Sequence, residues 1–184
     1  MIRTLEVQNM VTLHRFIEPD YAEYLNRQFV RHCQKKSLIG DDQTPESQCE
    51  YNYIHFVDLL VQKTEHINEV IGERVLPTYC YARNYLHGGE LKPHTDRPSC
   101  EVSVTLHLGG DTPWPFFIET SNKYVLQCDL KPGDAVLYLG MRGKHWRKPF
   151  TGEQYGQVFM HYVRTNGPHT EHIFDRKLTR NQNQ

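Results

Sequence analysis

Tyr85-Leu-His-Gly-Gly-Glu-Leu-Lys-Pro-His94-Thr-Asp96 is answered some fifty residues later by Gly133-Asp-Ala-Val-Leu-Tyr138 and Lys144-His145-Trp-Arg-Lys-Pro149. Residues i and i+2 of an extended strand point to one side, so His94 and Asp96 can reach one point from a single rigid segment. Pro93 fixes the backbone just before them, and Gly88-Gly89 supplies a tight turn upstream. Residues 135–139 form a short apolar run entered from Pro132-Gly133-Asp134, the pattern of a strand that follows a turn, and His145 comes as that strand is leaving. Two imidazoles and one carboxylate form a ligand set that holds non-haem iron(II) on one face and leaves the opposite positions open.

A bare His-x-Asp is weak evidence: with 11 His in 184 residues, chance alone supplies about half an occurrence. The flanking segments therefore carry the argument. From Val75 onward the pattern is β. Residues 101–108 alternate strictly, with Val102, Val104, Leu106 and Leu108 on one side and Glu101, Ser103, Thr105 and His107 on the other. The polar side is expected to line a pocket and the apolar side to meet helices. Residues 114–120 and 124–128 flank Ser121-Asn122-Lys123 as a hairpin, and residues 154–163 read as the last strand.

The N-terminal part reads differently. A strand-like start over residues 6–13 leads to a helix over 20–35, capped by Asp20, with Tyr21, Tyr24, Leu25 and Phe29 at helical spacing. Residues 39–50 are turn-rich and read as a surface loop. Phe56, Leu59, Leu60, Ile67, Val70 and Ile71 mark a second amphipathic helix stopped by Gly72. Helices followed by a run of strands argue for an α+β, mainly β chain. One domain is expected, with a helical buttress over 18–72, a strand core over 75–163 and a polar tail over 165–184.

A net charge of −1 and a pI near 6.8 give no polyelectrolyte footprint, so a sequence-independent grip on nucleic acid is not indicated. Five cysteines without a Cys-x-x-Cys pair read as reduced thiols in a cytoplasmic protein. No apolar run approaches membrane-spanning length, so no membrane partner is expected.

The combined motif resembles the iron(II)/2-oxoglutarate-dependent dioxygenases, and within them the prolyl 4-hydroxylase-like branch. The resemblance covers roughly residues 76–163 and rests on Tyr85 nine residues before His94, the glycine turn between them, His-x-Asp, the Gly133-Asp134 strand, and His145 with Pro149 four residues later. It implies a double-stranded β-helix, or jelly roll, with His94, Asp96 and His145 on the metal. It implies iron(II), 2-oxoglutarate and O2 as reactants, and allows ascorbate as an auxiliary reductant. The implied substrate is a prolyl residue in a peptide or protein; a free amino acid or other small molecule is the alternative. The oligomeric state stays open.

In that family an Arg or Lys about ten residues after the distal His pairs with the far carboxylate of 2-oxoglutarate. Here residues 154–163 contain neither. A dicarboxylate still needs charge-assisted donors. Arg83, on the same strand face as Tyr85, is the expected anchor, against the alternative of an exposed strand arginine. Gln157, Thr105, His107 and His161 are weaker candidates, and Tyr85 offers a phenol to the same carboxylate. Arg97 either orients substrate or pairs with Glu101. Trp114, Trp146 and Phe150 form an aromatic wall at the pocket mouth or belong to the core. His161 competes with His145 as the distal ligand, and Cys100 reads as a small buried hydrophobe. Two other classes remain: a cupin-type isomerase or hydrolase using zinc or manganese at the same residues, and a non-catalytic jelly-roll binding module.

Overall fold

The strict alternation over residues 102–108 becomes the plan of the molecule. In the computed structural model, which describes residues 2–174, Val102, Val104, Leu106 and Leu108 enter the main core beneath the helices. Ser103, Thr105 and His107, equally buried, are the alternate residues of that strand and so turn the other way. In chain order the elements are α1 (Ile2–Gln8), β1 (Met10–Leu13), α2 (Pro19–Lys36), β2 (Ser47–Tyr51), α3 (Ile54–Gln62), α4 (Thr64–Ile71), β3 (Val75–Leu86) and β4 (Leu91–His94). There follow β5 (Val102–Gly110), β6 (Phe116–Glu119), β7 (Val125–Cys128), β8 (Ala135–Tyr138), β9 (His145–Arg147) and β10 (Gln154–Arg164).

The strands form two antiparallel sheets, one of six strands in the order β1-β8-β5-β10-β3-β2 and one of four in the order β4-β9-β6-β7. The architecture is a jelly roll with helices outside the larger sheet. The helix side of that sheet is apolar: Cys80, Ala82, Val158, Met160 and Tyr162 join the β5 residues against Leu25, Phe29, Phe56, Leu60 and Ile67. Burying each such Leu, Ile or Phe contributes about 1.5–3 kcal/mol, so this layer supplies most of the driving force. The opposite side is polar and aromatic. Register sets Tyr79 against His161, Tyr81 against Phe159, Arg83 against Gln157, and Tyr85 against Tyr155. This inner face is where the alternation places a pocket.

Several local expectations are corrected. Residues 2–8 are helical before the strand begins, and Asn9, at φ +60°, makes the break between them. Asp20 lies inside the first turn of α2, behind Pro19, with no side-chain cap, so it acts only through the helix dipole. Tyr21 and Tyr24 are about half exposed, at 47% and 48%; the buried stripe is Ala22, Leu25, Asn26, Phe29 and Cys33. The second amphipathic helix is two, α3 and α4, broken at Lys63, and Gly72 ends the latter at φ +73°. Residues 47–50, read as loop, belong to an edge strand on β3, where β3 supplies the ladder, Gln48 accepts from Asn84 at 3.1 Å and Glu50 meets His32 of α2. The end of the chain beyond residue 174 lies outside the described residues. Among the described residues no helix is long and apolar enough to cross a membrane.

Candidate metal centre

His94 ends β4, and Asp96 lies just past it, where its backbone N–H donates to the Gly140 carbonyl at 2.8 Å. His145 opens β9, which is separate from β8, and pairs with His94 in register. The three side chains meet. The Nε2 atoms of His94 and His145 each lie 3.6 Å from Asp96 Oδ1, and one ligand atom from each residue falls within 4.8 Å of the others.

The surroundings fix how these groups present themselves. Nδ1 of His94 lies 2.8 Å from the Lys92 carbonyl, and Nδ1 of His145 lies 2.8 Å from the Gly143 carbonyl. Each carbonyl accepts from Nδ1–H and turns Nε2 toward Asp96, the orientation a metal-binding histidine needs once Nε2 has given up any proton it shares with Asp96. Burial works to raise the Asp96 carboxyl, but the His94 hydrogen bond and the nearby imidazoles hold it down at about 2. Burial lowers His145; burial works the same way on His94, but the Asp96 hydrogen bond raises it on balance, so a metal bound there displaces a proton. One anionic oxygen ligand and two neutral nitrogen ligands on one side of an open space suit iron(II) and similar divalent ions. The residues present fit such a metal.

Behind the triad, Ser103 Oγ donates to Asp96 Oδ2 at 3.1 Å and lies 2.8 Å from His161 Nδ1. His161 therefore belongs to a second group with Asp96 and Cys100. Burial lowers its imidazole to about 4, and it shares Asp96 with the first group. Gly140 closes the site: a Cβ there would sit 2.4 Å from Asp96 Oδ2 and 2.3 Å from the Cys100 carbonyl.

A cavity of about 410 Å³ opens over the triad, lined by Tyr51, Tyr79, Tyr81, Arg83, Arg97 and Phe159 among others. Arg97 lies 4.6 Å over the Tyr79 ring, on which Tyr51 stacks at 4.6 Å and 13° and His161 packs at 4.5 Å. Glu101 does not pair with Arg97; it binds Arg164 at 2.7 Å. Arg83 faces the cavity, but Asp41 Oδ2 lies 2.5 Å away and Thr44 Oγ1 accepts at 2.9 Å. The segment that carries these groups also brings Gln43 to 3.2 Å from Arg83 and 3.4 Å from His94 Nε2.

The remaining candidates lie elsewhere. Tyr85, Trp114, Phe150 and Tyr155 form an enclosed aromatic cluster between the sheets, so Trp114 and Phe150 do not wall the cavity mouth. Trp146 points away from its neighbours His145 and Arg147 and stacks on Phe117 at 5.8 Å. Gln157 and Thr105 are buried and hydrogen-bonded to each other. Cys100 is buried beside the Tyr79 hydroxyl. One buried cation was missed by the sequence reading: Arg147, two residues after His145 on the same inward face of β9. The i, i+2 rule applied to Arg83 and Tyr85 identifies it equally well.

No family model matches the chain, and no curated protein matches it by sequence. Solved structures match by fold. A prolyl-4-hydroxylase from Pseudomonas putida superposes with a TM-score of 0.71 at 15% identity, covering 89% of this chain and 96% of that one. HygX from Streptomyces hygroscopicus, solved with nickel, 2-oxoglutarate and hygromycin B, gives 0.71 at 12% identity, covering 91% and 87%. A prolyl hydroxylase from Trichoplax adhaerens, in complex with a hypoxia-inducible-factor peptide fragment, gives 0.70 at 12% identity, covering 89% and 87%.

Proposed function

We propose that this chain, which has the fold of these 2-oxoglutarate-using enzymes, is an iron(II)- and 2-oxoglutarate-dependent oxygenase that hydroxylates an unactivated C–H bond. The observation that carries the reading is the convergence of His94 Nε2, Asp96 Oδ1 and His145 Nε2, with both imidazoles oriented by backbone carbonyls. Iron(II) bound by these residues would supply the activation of dioxygen, one oxygen atom going into the succinate formed with CO2 from 2-oxoglutarate and the other into the substrate. The protein's share is to position and to keep water out. His94, Asp96 and His145 hold the metal. Ser103 orients Asp96, and Leu91, Tyr138 and Phe159 give the cavity apolar and aromatic walls.

Tyr51, Tyr79, Tyr81 and Arg97 form the substrate side of the cavity. Our first reading of the substrate is a prolyl residue in a peptide or protein. Its compact apolar ring suits an aromatic shelf, and a preformed polyproline-like chain loses little entropy on binding. The second reading is a small polar molecule. It is favoured by the cavity volume of about 410 Å³, within the roughly 300–1,000 Å³ of small-molecule sites, and by phenols and a guanidinium converging there. The five cysteines are all free thiols, which fits a reducing cytoplasmic setting.

The test is succinate release from 2-oxoglutarate under iron(II), with proline-containing peptides and with small amines, amino acids and sugars as candidates. Mass spectrometry then checks for the gain of one oxygen atom. Stimulation by a peptide supports the first reading. Stimulation only by small molecules supports the second, and loss of 2-oxoglutarate without iron would contradict both.

A further inference from the structure

Among the described residues Arg147 is a buried cation without a counter-ion. It is 1% exposed. Its Nη1 donates to the Trp114 carbonyl, and its Cζ lies 4.7 Å from the Trp114 ring centre, 5.0 Å from Tyr155 and 5.6 Å from Phe116. Among the described residues Arg83, Arg142 and Arg164 each have a carboxylate partner; Arg147 has none. By geometry its Nη2 makes no hydrogen bond among the described residues, and neither do the buried hydroxyls of Tyr85 and Tyr155, although the Arg147 charge lies close enough to Tyr155 to act on its phenol.

These groups share one place. Tyr85 and Tyr155 face each other in register across β3 and β10, and both rings meet Trp114 edge-on, at 4.7 Å and 5.3 Å. Burial raises the Tyr155 phenol, so its hydroxyl keeps its proton and remains a donor. A buried polar group left unpaired is destabilising, and an unpaired buried charge is more so. A water satisfies donors but leaves the charge. A carboxylate does both, because it brings a negative charge and lone pairs for three donors.

The position says which carboxylate. Arg147 and His145 are two residues apart on one face of β9, about 6.6 Å along the strand. A ligand that reaches both is an acid whose far end binds a metal. We propose that Arg147, with the hydroxyls of Tyr85 and Tyr155, is the subsite for the distal carboxylate of the 2-oxo acid co-substrate. Arg83 is then a structural cation, neutralised by Asp41. The assignment rests on the function proposed above and names the residue that selects its co-substrate.

The test compares two ligands under anaerobic iron(II): 2-oxoglutarate, and 2-oxopentanoate, which keeps the chelating head and carries a methyl in place of the distal carboxylate. Binding is read from tryptophan fluorescence, since Trp114 lies against Arg147. Wild type is expected to prefer 2-oxoglutarate by about 30-fold or more, because removing one partner of a desolvated charge pair has at least that effect. In Arg147→Met the preference falls to within about threefold of unity, while the melting temperature stays at or above wild type, since the variant removes an uncompensated charge. Arg147→Lys restores part of the preference. A preference kept in Arg147→Met, or lost in Arg83→Met instead, overturns the assignment. Equal binding of the two ligands by wild type also overturns it, and wild type that binds neither overturns the parent function as well.

Discussion

Gly140 is a glycine because Asp96 occupies the space where a side chain would stand. Its Cβ would meet a carboxylate oxygen on one side and a backbone carbonyl on the other, and neither is the loose end of a flexible chain. Gly140→Ala is therefore expected to displace Asp96 and weaken iron(II) binding by about 10–100-fold, the range for losing support around a metal ligand. A metal titration checks this, and wild-type affinity would contradict it. His107 gives a pH prediction. Burial, and then the charge of Arg147, lowers its imidazole to about 3, whereas an unfolded histidine titrates near 6.5. Between these values the unfolded chain binds one more proton than the folded one. Stability is thus complete above about pH 6.5 and falls with acidification, by about 1.4 kcal/mol per pH unit from this group. Denaturant titrations of wild type and His107→Gln across pH 4–7 should show a shallower slope in the variant; identical slopes would contradict the argument.

Residues 39–46 are mostly exposed, but Asp41 and Thr44 tie the segment to the interior. Asp41 and Thr44 hold Arg83, and Tyr81 donates to the same Asp41 carboxylate at 2.7 Å. Removing Asp41 leaves Arg83 buried and unpaired. Asp41→Ala is expected to cost about 2 kcal/mol, less than for a fully buried pair because the Asp41 side chain is 36% exposed. Adding Arg83→Met should recover most of that loss, and a double-mutant cycle showing additive losses would contradict the pairing. The strands around this segment were legible in the sequence wherever one face was polar, as in β5, or where a turn bounded a short apolar run, as in β8. The edge strand β2 was not, because its polar residues carry no period and its partner β3 supplies the ladder. Helix α2 was placed correctly but turned wrongly, because Tyr21 and Tyr24 look like core residues yet stack on each other about half exposed. The candidate ligands were legible from spacing. The charge on Arg147 was not recognised, because a basic residue between Trp146 and Lys148 looks exposed until β9 turns it inward.

At the scale of the molecule, the helix side of the larger sheet holds the fold together and the polar inner side holds the chemistry, so the two separate by mutation. Ala substitution of His94, Asp96 or His145 is expected to abolish iron(II) binding with little loss of folding stability, because an open metal site contributes less to the fold than a closed one. His161→Ala should be milder for metal, since His161 reaches the site through Ser103. The most direct test is iron(II)-dependent formation of succinate from 2-oxoglutarate by wild type and by folded His145→Ala, with metal content measured on both. The account predicts succinate from the iron-loaded wild type alone, and no bound iron in the variant. Full iron occupancy and undiminished succinate in His145→Ala, or 2-oxoglutarate left intact by the iron-loaded wild type across the peptide and small-molecule candidates, would contradict it.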